Sequence, residues 1–378
     1  MRKACLVLLM LLFAAKYADA QKTNFWKKLN YFLTKPTKAD STYVYQPKAG
    51  FSLGAYFLGQ RAGFDSKVKY SYSYLGEDTA TMILKGKIVE NFRNRVGGEI
   101  GYGCLNFGYA FEVGSKSAVE KKLFSFKFMN PVFGVSFEYY KICNPFYSSL
   151  EMSEADDEDY YYSENVTSDV AVMRCFSIDG YYAFNHERFA YTATYKPGKI
   201  QQRTAGSWMV AARYVQGSLF NTSENAFEAL SIVDCYSTLQ FSLGGGYSIN
   251  IVPWHRDPVD ERDKGLRNLT FNITAMPMIT PVNYIRATMY EYVDNGDDVI
   301  EHRSKWWCHP MPSYLDSASA SFSIWRFYLS VQFNYNNYYF INSSKRLGTD
   351  LDLSQSEDLS FRGSFHDWTL KTLLVYRF

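Results

Sequence analysis

From Leu239 to Ile251 the odd positions Leu239, Phe241, Leu243, Tyr247, Ile249 and Ile251 are apolar or aromatic, Gly245 excepted, while the even positions are Gln240, Ser242, Gly244, Gly246, Ser248 and Asn250. A period of two sustained this long specifies a strand with one apolar and one polar face. It exceeds the roughly 9–11 residues in which a tilted strand crosses hydrocarbon. The pattern recurs. Leu269, Phe271, Ile273 and Ala275 alternate with Asn268, Thr270, Asn272 and Thr274; Ala318, Ala320, Phe322 and Ile324 alternate with Ser317, Ser319, Ser321 and Ser323. Phe327, Leu329, Val331, Phe333 and Tyr335 then alternate with Tyr328, Ser330, Gln332, Asn334 and Asn336, and the abutting runs predict a tight turn at Trp325-Arg326. Phe133, Val135, Phe137 and Tyr139, and again Phe189, Tyr191, Ala193 and Tyr195, predict strands of the same kind.

Alternation does not say which face meets water, but the polar residues do. A soluble exterior carries interspersed Lys, Glu, Arg and Asp, whereas these faces are largely Ser, Thr, Asn, Gln and Gly, with charge gathered in the connections. The apolar face is therefore expected in lipid and the polar, mostly uncharged face around a lumen, with Tyr140, Tyr181 and Tyr328 pointing inward. Closure follows, because an open sheet edge in hydrocarbon leaves backbone groups without partners at several kcal/mol each. The expected fold is all-β, a closed antiparallel transmembrane barrel of about 12–14 strands, an even number being the rule for bacterial single-chain barrels.

Both termini support this. Arg2 and Lys3, an apolar stretch from Ala4 to Ala15 and Ala18-Asp19-Ala20 read as a signal peptide over 1–20, cleaved after Ala20. The stretch is too short to span a bilayer, and Cys5 lies inside the signal and not at its cleavage site, so a lipoprotein is rejected. At the other end Leu370, Thr372, Leu374, Tyr376 and Phe378 share one face of a final strand that ends on Phe378. This resembles the terminal signature by which bacterial outer-membrane barrels are recognised for assembly, and the resemblance implies the barrel-assembly machinery as a partner, read through Leu370, Leu374, Tyr376 and Phe378.

The stretch Gly180-Tyr181-Tyr182-Ala183-Phe184-Asn185-His186-Glu187-Arg188-Phe189-Ala190-Tyr191, followed by Thr204-Ala205-Gly206-Ser207-Trp208, is similar to a family of outer-membrane barrels of Bacteroides-type bacteria, domain of unknown function 4421. The closing Tyr376-Arg377-Phe378 is similar to that family's ending. The resemblance implies location in the bacterial outer membrane and barrel architecture, and it brings no activity and no functional residues.

Residues 21–46 lack the alternation and read as a periplasmic lead-in, with 24–34 a candidate short helix before Pro36, and 47–378 as the barrel. With the C-terminus in the periplasm, 342–367, 277–316 and 217–234 become outer loops. The acidic stretch after Asn144 then falls on the periplasmic side, where turns should be short. That conflict places a miscounted strand between Asp169 and Tyr214.

Composition refines the picture. Aromatics are 18% of the chain, with 32 Tyr and 29 Phe, as interfacial girdles require. A net charge of +2 gives no footprint for nucleic acid. No segment beyond the signal has the length and apolarity of a membrane helix. Cys104, Cys143, Cys175, Cys235 and Cys308, an odd and widely spaced set, make a poor disulfide framework, so the strand ladder is expected to hold the fold.

Candidate chemistry is sparse. Asp156, Asp157, Glu158 and Asp159 next to Tyr160, Tyr161 and Tyr162 could hold Ca²⁺ near lipopolysaccharide phosphates, but the spacing of a calcium loop is missing and a solvated acidic loop accounts for them. His302, Cys308 and His309, with Glu301, are the weaker metal candidates; they lack paired ligand spacing, and with Trp306 and Trp307 they read as a loop packed by its own side chains. No nucleophile motif accompanies His366 and Asp367, so no catalytic residue and no cofactor is assigned. Of the Asn-x-Ser/Thr sequons, Asn268 and Asn272 belong to a lumen face. The functions compatible with these observations are a narrow passive solute channel or a surface interaction scaffold, with a lipid-modifying outer-membrane enzyme as the alternative. Outer-membrane lipid and lipopolysaccharide are the expected surroundings.

Overall fold

The apolar and polar alternation closes into a ring in the structure, a computed structural model that describes residues 31, 39–47, 50–73, 79–90, 93–113, 122–143, 146–154, 161–168, 171–221, 235–260, 263–292, 299–344 and 356–378. The strands in chain order are β1 (Val44–Tyr45), β2 (Phe51–Ser73), β3 (Thr79–Glu90), β4 (Arg93–Tyr102), β5 (Leu105–Glu112), β6 (Lys122–Met129), β7 (Phe133–Cys143), β8 (Phe146–Glu154) and β9 (Tyr161–Ser168). They continue with β10 (Ala171–Ala183), β11 (Ile200–Gln201), β12 (Ala205–Asn221), β13 (Cys235–Arg256), β14 (Arg267–Tyr292), β15 (Val299–Trp307), β16 (Met311–Ile324), β17 (Phe327–Ser344) and β18 (Ser356–Arg377). One 3-10 turn, Tyr191–Thr194, lies between β10 and β11.

Sixteen strands share one antiparallel sheet; β3, β8, β9 and β15 hang from it, and the other twelve form a ring that β18 closes by pairing along β2, from Asp358 with Ser71 to Arg377 with Ser52. Closure leaves the ring without an edge, which a barrel in hydrocarbon requires. The wall is uneven. β5 and β6 have eight residues each, and beyond them β3 pairs directly with β8, so the sheet narrows away from the end that holds Phe51 and Phe378. β14 has 26 residues. It outruns the 9–11 or so that a bilayer needs and projects at the end opposite Phe51 and Phe378.

Side chains sort as the alternation predicts. On β14, Phe271, Ile273 and Ile279 are exposed on the outside while Asn268, Thr270, Asn272 and Thr274 are buried within. On β17, Phe327, Leu329, Val331 and Phe333 face out and Tyr328, Ser330 and Gln332 face in. On the last strand Leu370, Leu374 and Phe378 face out and Leu373, Val375 and Arg377 face in. Aromatic rings band the exterior near the termini. Phe378 stands 5.4 Å from Phe51 and 5.0 Å from Tyr376, Tyr376 stands 5.1 Å from Phe327, and Trp208 stands 5.4 Å from Tyr247. A continuous apolar exterior ringed by aromatics is the surface of a membrane-spanning barrel. Among the described residues no helix is long and apolar enough to cross a membrane.

Two expectations are corrected. Phe189, Tyr191, Ala193 and Tyr195 do not form a strand; they belong to a segment folded into the lumen, and removing that strand from the count turns the stretch after Asn144 to the outer end. The outer loops expected over 277–316 and 342–367 are in large part strand, since β14, β16, β17 and β18 run on into them and β15 lies wholly within 277–316; of 217–234 the described residues 217–221 continue β12. Beyond the bilayer both faces of a strand are wet, so the period of two fades while the ladder continues. Within the lead-in, Val44 pairs with Gln201, and Tyr45 with Ile200, as β1 and β11. The signal segment 1–20 and the candidate helix over 24–34 lie outside the described residues, Tyr31 excepted. Trp325-Arg326 is the expected tight turn, with Trp325 at φ 52°.

Val331→Arg on the outward face of β17 is expected to lower stability in lipid vesicles by about 2–4 kcal/mol if it sits near the bilayer midplane. Val259→Arg, in an exposed connection, should change it by less than about 0.5 kcal/mol. Urea unfolding of the two variants in vesicles checks the assignment of faces.

Candidate functional site in the barrel lumen

β10 ends at Ala183, already paired with Met209 of its ring neighbour β12. Roughly two to five residues would close such a hairpin. Residues 184–204 instead turn inward and fill the lumen at the end marked by Phe51 and Phe378, and a connection this long between adjacent strands is there for more than topology. Its entrance is fixed by Asn185, whose amide N–H donates to Ser207 Oγ at 2.9 Å and whose side-chain Nδ2 donates to the Gly206 carbonyl at 2.8 Å. The segment that resembles the family pattern, Asn185 to Tyr191 and Ser207, is thus the root of this plug.

The plug has an apolar side and a backbone side. Phe189 packs with Ala183, Met209, Ala211, Met276 and Met278, and Tyr191 and Tyr181 pack against that cluster with their rings 4.6 Å apart. Gly134 makes room for this: a Cβ there would collide with the Tyr181 ring. The plug backbone is met by the wall's short polar side chains. Ser330 Oγ donates to the Thr194 carbonyl at 2.6 Å, Tyr328 OH to the Ala193 carbonyl at 3.2 Å and Asn250 Nδ2 to the Ala190 carbonyl at 2.9 Å. Ser319 Oγ donates to Thr194 Oγ1 at 2.7 Å, and Tyr195 OH to Asn272 Oδ1 at 3.2 Å. Buried backbone groups must be paired, and the Ser, Asn and Gln side chains of β13–β17 pair them.

Gln201 is the hub. Its Oε1 accepts from the Ala190 amide at 2.8 Å and from Asn250 Nδ2 at 3.1 Å, and its Nε2 donates to the carbonyls of Arg188 at 2.7 Å and Arg203 at 2.9 Å. Lys196 spans to the wall: its ammonium donates to the carbonyls of Cys104 at 3.1 Å and of Met129, at the β4–β5 and β6–β7 turns. Burial pulls Lys196 down to about 8, and burial does the same to Lys199, whose ammonium donates to Gln46 Oε1. From the closing Tyr-Arg-Phe, Arg377 turns inward, 3.6 Å from Asp263, and donates to the Trp325 carbonyl.

Above the plug lies a cavity of about 210 Å³, with Tyr191, Tyr195 and Lys196 at its base. Its wall corrects the expectation of a mostly uncharged lumen. The uncharged face belongs to β13–β17, where it meets the plug; the β18, β2 and β4–β12 side carries ions. Lys127 stands 2.8 Å from Glu138, Lys371 2.8 Å from Glu99, and Arg213 pairs with Asp179. Arg213 also donates to Asn336 Oδ1 and Tyr338 OH, each at 2.7 Å. The Lys371 ammonium sits 4.3 Å above the Tyr56 ring, Asn106 Nδ2 donates to Glu99 at 3.2 Å, and Gln60 Nε2 donates to Asp367 Oδ1 at 3.2 Å. Tyr56 lies against Gly97, where a Cβ would overlap the ring. Pairing across strands lets such charges stay buried, since a lone buried ion costs far more than a paired one.

The residues singled out from the sequence do not converge. Asp156, Asp157, Glu158 and Asp159 lie outside the described residues. His302 belongs to β15, opposite Met289. Cys308 is buried and not disulfide-bonded, and His309 is exposed with its amide on the Ile341 carbonyl at 2.9 Å. Among the described residues no three His, Cys, Asp or Glu side chains gather as a metal would need. Asp367 faces the cavity, while His366 faces the other side of the sheet, 3.7 Å from Asp65, so the two do not work together. Leu370, Leu374, Tyr376 and Phe378 share the outward face. Missed altogether were Gln201, Lys196 and the ion pairs. Glu99, Lys127, Glu138, Asp179 and Arg213 lie on strands whose polar face reads only once the ring is closed.

The family model described as Domain of unknown function (DUF4421) matches residues 38–349. The chain belongs to this family. The DUF4421 match takes in the end of the lead-in from residue 38, the plug and most of the wall. No curated protein matches the chain. Solved structures similar to it include the outer membrane protease OmpT from Escherichia coli, at 11% identity over 89% of this chain and 100% of that one, with a TM-score of 0.44. The P. putida toluene transporter TodX is similar at 7% identity over 92% and 94%, with a TM-score of 0.23, and a Pseudomonas aeruginosa FadL homologue at 12% over 86% and 90%, with a TM-score of 0.20. At such identities and scores neither proteolysis nor transport passes to this DUF4421 chain.

Gln201→Leu should orphan the buried Ala190 amide and remove two part-buried bonds to plug carbonyls, weakening plug docking by about 2–6 kcal/mol at roughly 1–3 kcal/mol for the unpaired amide and roughly 0.5–1.5 for each lost bond. Faster hydrogen exchange at Ala190 with an unchanged wall ladder is the expected reading. Lys196 and Lys199 give a pH dependence. Their protonated forms are disfavoured in the docked plug relative to a released one, where a lysine titrates near 10.5. Docking should therefore tighten as pH rises from about 8 to about 10.5, and Ala190 exchange, corrected for its intrinsic pH dependence, should slow over that window.

Proposed function

We propose that this protein is an outer-membrane conduit for a small polar solute, closed at rest by its own plug. The observation that carries the reading is the plug itself: it is excluded from the wall ladder, is held to the wall by side-chain hydrogen bonds and packing, and forms the base of a cavity lined by paired charges. A plug serving only to fill the lumen would need no polar chamber above it. The apolar exterior and the aromatic band near the termini support the outer membrane as its site, with lipid and lipopolysaccharide around it, the termini in the periplasm and export through a signal removed after Ala20. The outward row Leu370, Leu374, Tyr376 and Phe378 on the closing strand supports a role as the signal read by the barrel-assembly machinery.

Because β10 and β12 are adjacent, residues 186–203 can be replaced by a short Gly-Ser linker without altering the order of strands. In planar bilayers the wild-type barrel is expected to be silent or nearly so. The linker variant, shown to be folded by its heat-sensitive mobility and circular dichroism, is expected to conduct steadily. A folded linker variant as silent as the wild type would rule out the conduit.

A further inference from the structure

We infer that residues 40–46, just before the first wall strand, are a latch that holds the plug closed, so that opening begins with release of the chain's own lead-in. The inference rests on the plugged-conduit reading and adds the element that controls it. The wall grips the plug from the lumen side; the lead-in grips it from the face turned to the termini. β1 and β11 form a two-stranded sheet apart from the barrel. The Asp40 amide donates to the Glu187 carbonyl at 2.8 Å, and the Gln202 amide to the Tyr43 carbonyl at 2.7 Å, so both ends of the plug are tied to the same short segment. The guanidinium groups of Arg188 and Arg203, one from each end, lie 5.3 and 5.9 Å from the Tyr43 ring centre. Val44 is buried against Ala190 and Ala193 of the plug.

The latch is anchored at its far side. Tyr45 OH donates to Asp263 Oδ1 at 2.6 Å, and Asp263 is the partner of Arg377. Through Tyr45, Asp263 and Arg377 the lead-in, the β13–β14 connection and the closing strand share one buried polar cluster. Yet β1 offers only two residues of ladder, and a pairing that short is marginal without its side-chain contacts. It therefore suits a release step: strong enough to hold a docked plug, too small to hold a displaced one.

The test labels a cysteine placed at Thr194, which is buried in the docked plug, with a membrane-impermeant maleimide, in the full chain and against the wild type as background. Val44→Asp, which puts a carboxylate into the apolar contact with Ala190 and Ala193, is expected to speed labelling of Thr194→Cys by at least about tenfold, because labelling follows the population of opened plug. It should also bring conductance events to the silent wild-type barrel. The pair Tyr45→Cys and Ile200→Cys, directly opposed across β1 and β11, is close enough to form a disulfide. Added to Val44→Asp, it is expected to hold both readouts at wild-type levels until reductant is added. If the linker variant conducts while Val44→Asp leaves labelling and conductance at wild-type levels, the latch is wrong and the conduit stands. If the linker variant is silent, the conduit falls, and unchanged labelling in Val44→Asp would remove the latch with it.

Discussion

Every feature of this molecule answers to the cost of an unpaired backbone amide or carbonyl where water is excluded. In the wall the answer is closure: β18 meets β2 along almost its whole length, and no edge is left for lipid to face. In the lumen the same rule acts on a segment that is not part of any ladder. Residues 184–204 bring their own backbone into the barrel, and the wall must supply partners from side chains. Ser, Thr, Asn and Gln are short and neutral and can pair with carbonyls and amides at no desolvation cost of a full charge. That is why the lumen face of β13–β17 is built from them, and why Gln201, able to accept and donate at once, sits at the centre of the plug.

The charged side of the lumen obeys a companion rule. Lys127 with Glu138, Lys371 with Glu99 and Arg213 with Asp179 each join residues from different strands, so they cross-link the wall as they neutralise one another. A pair of this kind is poor at adding net stability but strongly penalises any arrangement that separates its members. The pairs therefore reinforce the register that the ladder sets, and they keep the chamber polar.

Much of the architecture is legible in the sequence because lipid imposes a single requirement on one face of every crossing strand. Phe271, Ile273, Leu329 and Val331 declare themselves by period alone. The plug is hidden by the same grammar: Phe189, Tyr191, Ala193 and Tyr195 alternate as a strand would, yet Tyr191 and Ala193 lie in a 3-10 turn and Phe189 is buried among Met209, Met276 and Met278. The failure of strand parity between Asp169 and Tyr214 is the signal that something there does not cross. What no local pattern carries is partnership. Nothing near Gln60, Glu99 or Arg213 in the sequence names Asp367, Lys371 or Asp179, because those pairs exist only once the ring has closed.

The division of labour between wall and plug has a consequence for how the molecule can move. Ladder hydrogen bonds of a closed barrel break only with the barrel, since opening one strand exposes edges to lipid. Side-chain hydrogen bonds to the plug carry no such penalty: if the plug withdraws, Ser319, Ser330, Asn250 and Asn272 are left facing a lumen that water can enter, and water replaces the lost partners at a net cost of about 0.5–1.5 kcal/mol per bond. A rigid wall and a displaceable plug are thus built from the same interaction, and the solvent waiting on the other side decides which is which. Dry lipid locks the first, and a wettable lumen frees the second.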